Sequence, residues 1–434
     1  MDIQDLFYME AKKGILLINP KNAEMLAVDE QDIEKIIDAL ENDKKDGMCE
    51  RFLKPLEESQ CCGAEVLACG SIGILPTFQC NFSCTYCFEK DFAKTKMESA
   101  MVPAIKEFVK EWDKEFGIDT NIESIDLMGG EVLQAKNRQL IEEICKEFEG
   151  VEFEVTTNGA ELLAFKDLLK KYRVKVTVSL DGTEKMQNLR RKTAVPNAYE
   201  KILEGIRFLM AEKIETSIAT VMNTGLPVGD YMEFFDMLEE LGWLKEECMD
   251  VAFSVEMNAG IQGCDVERLK DTIHLYEELL AADRRMWKVS PSIIMGASNV
   301  GKILENKLEK NQVNLSRCPA NASAGLVFGP DGYVYNCNLV VNEKNRIGQY
   351  YPKVEIYRDV VEAYRDRNCS TIAECKDCKF GLFCQGGCPL SAITRSGSIQ
   401  KGFCGIWKEP EILEKLPYVV DVEHLYEVAN RYEA

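Results

Sequence analysis

The sequence predicts an α/β protein whose centre is a partial barrel of parallel strand-helix units. Three observations carry this. Between Ser71 and Asn258 six short apolar runs alternate with amphipathic stretches of helical length, the pattern of βα units joined by right-handed crossovers. The runs end in Gly and polar residues, as MGGE, TTNG and SLDG, and in parallel α/β architectures the C-terminal strand ends carry the site. Cysteine is used heavily, 18 residues against only two histidines, His274 and His424, and much of it falls into two groups. The expected class is therefore a partial, TIM-like (β/α)6 barrel with an N-terminal hairpin-plus-helices unit and a cysteine-rich C-terminal domain.

In chain order, the segment 14–28, GILLINPKNAEMLAV, holds two apolar runs about a Pro20-Lys21-Asn22 turn. EQDIEKIIDALEN follows with helical spacing of Ile33, Ile36, Ile37 and Leu40, and a second amphipathic stretch covers about 48–58. Cys49, Cys61, Cys62 and Cys69 lie in this region without ligand spacing and read as small buried hydrophobes. SIGILPTF is then a strand leading into the first cysteine group. IESIDLMGG, VEFEVTTNG, VKVTVSLDG, ETSIATVMN and VAFSVEMN are the later strands, separated by helices such as MVPAIKEFVKEWDKEF and AYEKILEGIRFLMAE. Gly129-Gly130, Gly159 and Asp181-Gly182 each also admit a plain reading as turn chemistry. The resulting organisation is 1–70 N-terminal unit, 71–315 barrel and linker helices, 316–409 cysteine-rich domain and 410–434 tail or helix.

A chain of 434 residues has ample apolar content for one large core and smaller domains. Its formal charge of -21 disfavours nucleic acid and anionic lipid, which need a basic stripe. No apolar run approaches the roughly 20 residues that cross a bilayer, and MDIQDLFYMEAKKG has no basic-then-apolar export pattern. The expected setting is the cytoplasm, where thiols stay reduced and clustered ones serve metals or redox chemistry. So much thiolate with so little imidazole favours iron-sulfur over zinc or copper.

The first group, Cys80, Cys84 and Cys87, is a C-x3-C-x2-C triplet. A four-iron cluster normally takes four thiolates, so a triplet leaves one iron open to an exogenous ligand. The second group is Cys318, Cys337, then Cys375-x2-Cys378-x5-Cys384-x3-Cys388, and Cys404. AGLVFGPDGYVYNC reads as a hairpin with a Pro330-Asp331-Gly332 turn, bringing Cys318 and Cys337 within reach of one centre. Zinc at the triplet and a two-zinc ribbon at the array are the alternatives.

These residues resemble radical S-adenosylmethionine (SAM) enzymes. Cys80, Cys84 and Cys87 match the C-x3-C-x-aromatic-C signature, with Tyr86 as the aromatic. Gly129, Gly130 and Glu131 match the GGE motif that meets the methionine amine. Ser179 and Arg190 look like SAM-contacting positions, the arginine taking the carboxylate. Many relatives have His-Asp shortly before that arginine, where this chain has Met186-Gln187, so Arg191 stands as a rival. The later array resembles the SPASM extension of that family. The resemblance implies one auxiliary cluster on Cys375, Cys378, Cys384 and Cys404 and another on Cys318, Cys337 and Cys388. The segment LEKNQVNLSR lacks the further cysteine of fully ligated members; the second cluster has an open site, borrows a remote thiol such as Cys369, or is smaller.

The implied cofactors are SAM and three iron-sulfur clusters, one SAM-binding [4Fe-4S] and two auxiliary of the same type. The implied function is a peptide maturase that abstracts a hydrogen from a ribosomally made precursor and forms an oxidative crosslink, a cysteine thioether first. Its partners are the precursor peptide, held by the N-terminal unit, and an electron donor such as flavodoxin or ferredoxin. One alternative is a formylglycine-generating sulfatase maturase. Those relatives carry Asp after the cysteine equivalent to Cys337, where Asn338 stands here, and an amide accepts no proton at neutral pH. The other alternative is a non-enzymatic iron-sulfur electron carrier. No acid or base is assigned, although Glu256, Asn258 and Asn338 are candidates to face the cavity.

Overall fold

The computed structural model describes residues 6–41, 52–57, 61–62, 69–254, 256, 266–290, 295–315, 318–322, 325–339, 341, 343–404 and 422–431. Two compact units compose the chain: Val66–Ile293 with Ala322–Glu362, and Met1–Glu65 with Ile294–Asn321 and Ala363–Ala434.

The six expected barrel strands are present as Ser71–Ile74, Ser124–Leu127, Glu152–Thr157, Val174–Ser179, Thr216–Val221 and Met249–Ser254. Each lies parallel to the next in that order. Their two-residue alternation separates the faces: Ser124–Leu127 buries Ile125 and Leu127 while Ser124 and Asp126 are only partly covered. Helix Met101–Phe116 supplies a buried stripe of Ile105, Phe108, Val109 and Trp112 and ends at Gly117, which adopts the left-handed conformation of a C-terminal cap.

The sheet extends beyond those six strands, to eleven. Val289–Ser290 adds to one side, parallel to Met249–Ser254. On the other side the expected hairpin forms, Val327–Phe328 against Tyr333–Tyr335, closing where the Gly332 N–H donates to the Gly329 carbonyl. Its first strand pairs parallel with Ser71–Ile74, Val327 opposite Gly73 and Phe328 opposite Ile74. Phe328 meets Phe108 edge-on at 5.7 Å, and Leu75, Phe78, Val327 and Tyr335 form one buried cluster. The cysteine loop after Ser71–Ile74 therefore starts from a strand held on both edges.

In the other unit the predicted hairpin is Gly14–Ile18 against Met25–Asp29. Asn19 and Asn22, both buried, fix its turn by donating to the Phe52 carbonyl at 2.8 and 3.0 Å. An unanticipated strand, Phe7–Ala11, completes a three-stranded antiparallel sheet. Leu17, Leu26, Val28, Ala39, Leu40 and Phe52 make its core with helix Ile33–Glu41. The amphipathic stretch about 48–58 is described only at 52–57, and Cys49 and Asn258 lie outside the described residues. Of the tail at 410–434, the described part is helix Val422–Arg431, tied to the sheet where Tyr426 Oη donates to Asp29 Oδ1 at 2.6 Å. Among the described residues no helix is long and apolar enough to cross a membrane.

Candidate functional site

The Cys80–Cys87 loop is fastened from two sides. Phe82–Cys84 pairs antiparallel with Arg191–Thr193, setting Cys84 opposite Arg191. The Thr85 N–H donates to the Arg190 carbonyl at 2.9 Å, and Thr193 Oγ1 to the Asn81 carbonyl at 2.9 Å. From the other side Asn158 Nδ2 donates to Asn81 Oδ1 at 2.8 Å, and Asn81 Nδ2 to Glu161 Oε1 at 2.9 Å. The three thiols lie within electrostatic reach of one another. Burial pushes Cys80 up to about 12, with Glu131, Cys84 and Cys87 adding to it. Burial also raises Cys84, against the nearby Arg191, and Cys87. Three thiols held this way become thiolates only beside added positive charge, which suits the iron of a cluster. Among the described residues no three His, Cys, Asp or Glu side chains converge on a position for a single ion.

The Gly129-Gly130-Glu131 turn abuts the start of this loop. Gly130 has φ +47°, and a β-carbon there would lie 2.4 Å from the Gln79 carbonyl oxygen, so glycine is required by close approach as well as by conformation. The Gly130 N–H donates to Glu89 Oε2. Glu89 Oε1 is buried without a hydrogen-bond partner, and burial raises this carboxyl above its usual range. Glu131 is occupied within the protein. It accepts from Thr157 Oγ1 at 2.6 Å, the Asn158 N–H at 2.6 Å and the Leu133 N–H at 2.9 Å. Burial nevertheless pushes it up to about 7. Its carboxyl thus ties the end of the second barrel strand to the end of the third.

Asp181 is the hub of the opposite wall. Its side chain is 1% exposed and pairs with Arg190 at 3.5 Å and Arg191 at 3.2 Å. Tyr86 Oη donates to the same Asp181 oxygen at 2.5 Å, while the Val221 N–H donates to the other at 3.2 Å. The Arg190 and Arg191 guanidinium groups lie 4.5 and 5.3 Å from the Tyr86 ring centre, a cation-π arrangement. Arg190 also pairs with Glu256 at 3.1 Å, and Arg268 holds the other Glu256 oxygen at 2.6 Å. Arg191 reaches Cys84 Sγ at 3.9 Å. Gln187 accepts the Asp181 N–H at 2.8 Å and so closes the Asp181-Gly182 turn. Ser179 ends its strand opposite Ala219.

The pattern of the Radical SAM superfamily matches residues 74–239, which include the whole of this site apart from Glu256 and Arg268. Residues 74–239 are thus similar to the radical SAM superfamily. Two solved structures have the same fold. One is native anSMEcpe with bound AdoMet, with 19% identity over 83% of this chain and 99% of that one, at a TM-score of 0.58. The other is SuiB of Streptococcus suis bound to precursor peptide SuiA, with 15% identity over 92% and 97%, at 0.56.

Outside the radical SAM domain, the unit formed by Met1–Glu65, Ile294–Asn321 and Ala363–Ala434 carries six cysteines of the later array, and Cys337 belongs to the other unit. Cys375 is pushed up to about 11 by burial, with Cys404 and Cys378 adding to it. The Cys378 N–H donates to the Cys375 carbonyl at 3.2 Å. Cys369 is buried beside Cys375 and Cys61, burial pushing it up to about 12. Cys61, Cys369, Cys375 and Cys378 share the lining of a cavity of about 280 Å³.

Asn338 follows Cys337 and donates through Nδ2 to Asp126 Oδ2 at 3.5 Å. Asp126 stands in register with Glu154 on the neighbouring radical SAM strand. Burial, then the Glu154 charge, push Asp126 from 3.8 up to about 6, against the Asn338 hydrogen bond. Protonated Asp126 contributes stability that is fully present below its ordinary value near 3.8 and is lost as pH rises through about 6. D126N is therefore expected to match the wild type near pH 4 and to exceed it by about 1–3 kcal/mol at pH 7.5, as read by denaturant unfolding of both proteins at the two pH values. A variant weaker than wild type at neutral pH would contradict the assignment.

Proposed function

We propose that the chain is a radical SAM peptide maturase of the SPASM type, forming an oxidative crosslink in a ribosomally made peptide, with a cysteine thioether as the bond. The observation that carries this reading is the fastening of the Cys80–Cys87 loop to the Arg190-Arg191-Asp181 wall in one unit, joined in the same chain to a second thiol array in the other. Cys80, Cys84 and Cys87 would hold the first cluster. Glu89 Oε1, buried and without a partner, suits the ammonium of SAM, and the nearby guanidinium groups suit its carboxylate. Tyr86 positions Arg190 and Arg191, and Glu131 braces the Gly-Gly turn. When bound, the cluster and SAM supply a one-electron cleavage that makes a hydrogen-abstracting carbon radical.

The Cys318 to Cys404 array would hold two auxiliary clusters, which would supply a one-electron acceptor for closing the carbon-sulfur bond, with flavodoxin or ferredoxin as outside donor. The crosslink forms one carbon-sulfur bond and removes one hydrogen from carbon and one from the thiol. That a precursor peptide is bound in the SuiB structure supports a peptide substrate, and Phe7–Ala11, the outer strand of the N-terminal sheet among the described residues, would pair with a leader strand. Asn338 acts as a donor toward Asp126, which favours the crosslink over formylglycine formation. Anaerobic co-expression with a small peptide encoded beside this protein, followed by tandem mass spectrometry, tests the reading. The expected product is lighter by two hydrogens, located at a cysteine and its partner residue. An unmodified peptide, or a cysteine converted to an aldehyde, would refute it.

A further inference from the structure

Arg367 is 0% exposed, one of the largest fully buried side chains. Among the described residues its guanidinium donates to backbone carbonyls: Nε to Ile399 at 2.8 Å, Nη1 to Gly387 at 3.0 Å, and Nη2 to Gly386 at 2.6 Å and Lys401 at 3.2 Å. No carboxylate among the described residues stands within ion-pair distance of it. Arginine stays protonated in proteins, and a buried charge without a counter-charge is costly. The ionisable sulfurs within electrostatic reach are, in order, Cys388, Cys318, Cys375 and Cys384, and the exposed Glu374 carboxylate is a more distant neighbour.

The carbonyls it holds belong to two cysteine-bearing loops, Gly386-Gly387 between Cys384 and Cys388, and 399–401 ahead of Cys404. Gly387 has φ +69°, and a β-carbon there would lie 1.8 Å from the Phe403 carbonyl oxygen. The first loop thus presses against the second at its glycines, with the guanidinium bridging them.

We propose that Arg367 is the fixed counter-charge of the auxiliary iron-sulfur centres, raising their reduction potential while its hydrogen bonds set the two ligand loops. This rests on the reading of the array as cluster ligands. A thiolate-ligated cluster gains negative charge on reduction, so an immobile cation in a low-dielectric surround stabilises the reduced form. The chain then has a built-in reason for the auxiliary centres to accept an electron from a substrate radical.

The test compares wild type, R367Q and R367K after anaerobic reconstitution, by iron content and by redox titration followed by electron paramagnetic resonance. The cluster on Cys80, Cys84 and Cys87 serves as internal reference. R367Q is expected to lower the auxiliary potentials at least tenfold in the reduction equilibrium, about 59 mV for one electron, or to lose auxiliary iron, while R367K stays near wild type in both. If both variants lose auxiliary iron alike, only the hydrogen-bonded fork matters and the counter-charge is refuted. It is equally refuted if R367Q keeps wild-type potentials, or if R367K falls as far as R367Q. A wild type with about four irons per chain would instead sink the auxiliary-cluster reading itself.

Discussion

Replacing Asp181 by Asn is expected to destabilise the protein by about 3–5 kcal/mol, because the substitution keeps the shape of a buried carboxylate and removes the charge that two arginines share. The two arginines do not lose equally. Arg190 retains Glu256 at 3.1 Å, whereas the remaining ionisable neighbours of Arg191 are Tyr86 and the cluster-loop sulfurs, Cys84 at 3.9 Å and Cys87. Arg191 is the stranded cation, and it is worst off when Cys84 is a neutral thiol. The loss should thus be larger in cluster-free protein than in reconstituted protein. Denaturant unfolding of both forms checks this. Removing the stranded charge as well, in D181N/R191Q, should recover part of the loss, and the coupling between the two changes should be 0.5–3 kcal/mol. A D181N protein within about 1 kcal/mol of wild type, or additive single changes, would show that Asp181 is not the shared counter-charge.

This hub marks the limit of what the sequence discloses. The barrel strands were legible because their local signals agree: apolar alternation, helical spacing between them, and Gly at their ends. The SLDG turn was also visible, but Asp181 taken singly reads as plain turn chemistry as well. Its importance comes from Tyr86, Arg190, Arg191 and Val221, which only the folded chain brings together. Glu89 was hidden for the same reason, since its partner Gly130 lies 41 residues away. The parallel pairing of Val327–Phe328 with Ser71–Ile74 joins segments far apart in the chain. A two-residue strand carries no periodicity that could announce its neighbour. Phe7–Ala11 was missed because FYMEA mixes a charge with apolar residues over one short stretch. Arg367 lies beside the cysteine array, yet no local pattern distinguishes a buried arginine from a solvated one.

Gly130 offers the second large effect, because its position couples the strand-end turn to the cluster loop. In G130A the new methyl group would meet the Gln79 carbonyl oxygen at 2.4 Å and the Phe78 carbonyl carbon at 2.9 Å. Both are backbone atoms, so neither can swing away as a flexible side chain would. The left-handed conformation adds about 1–2 kcal/mol for a residue with a β-carbon, and the overpacking about 1–3 kcal/mol. The total expected loss is about 2–5 kcal/mol. Gly117 separates the two contributions: its φ is +66° and nothing lies within 4 Å of a β-carbon there. G117A should therefore lose only the conformational part, about 1–2 kcal/mol. The difference between the variants then measures the clash. Gln79 directly precedes Cys80, and the Glu131 N–H donates to the Gln79 carbonyl at 2.9 Å. A chain that relieves the clash must shift either the turn or the Gln79 backbone that leads into the first cysteine. G130A should accordingly retain less iron at the Cys80–Cys87 centre after reconstitution, while G117A retains the wild-type amount. Equal iron and equal stability in the two variants would show that the Gly-Gly turn and the cluster loop move independently and would refute the coupling.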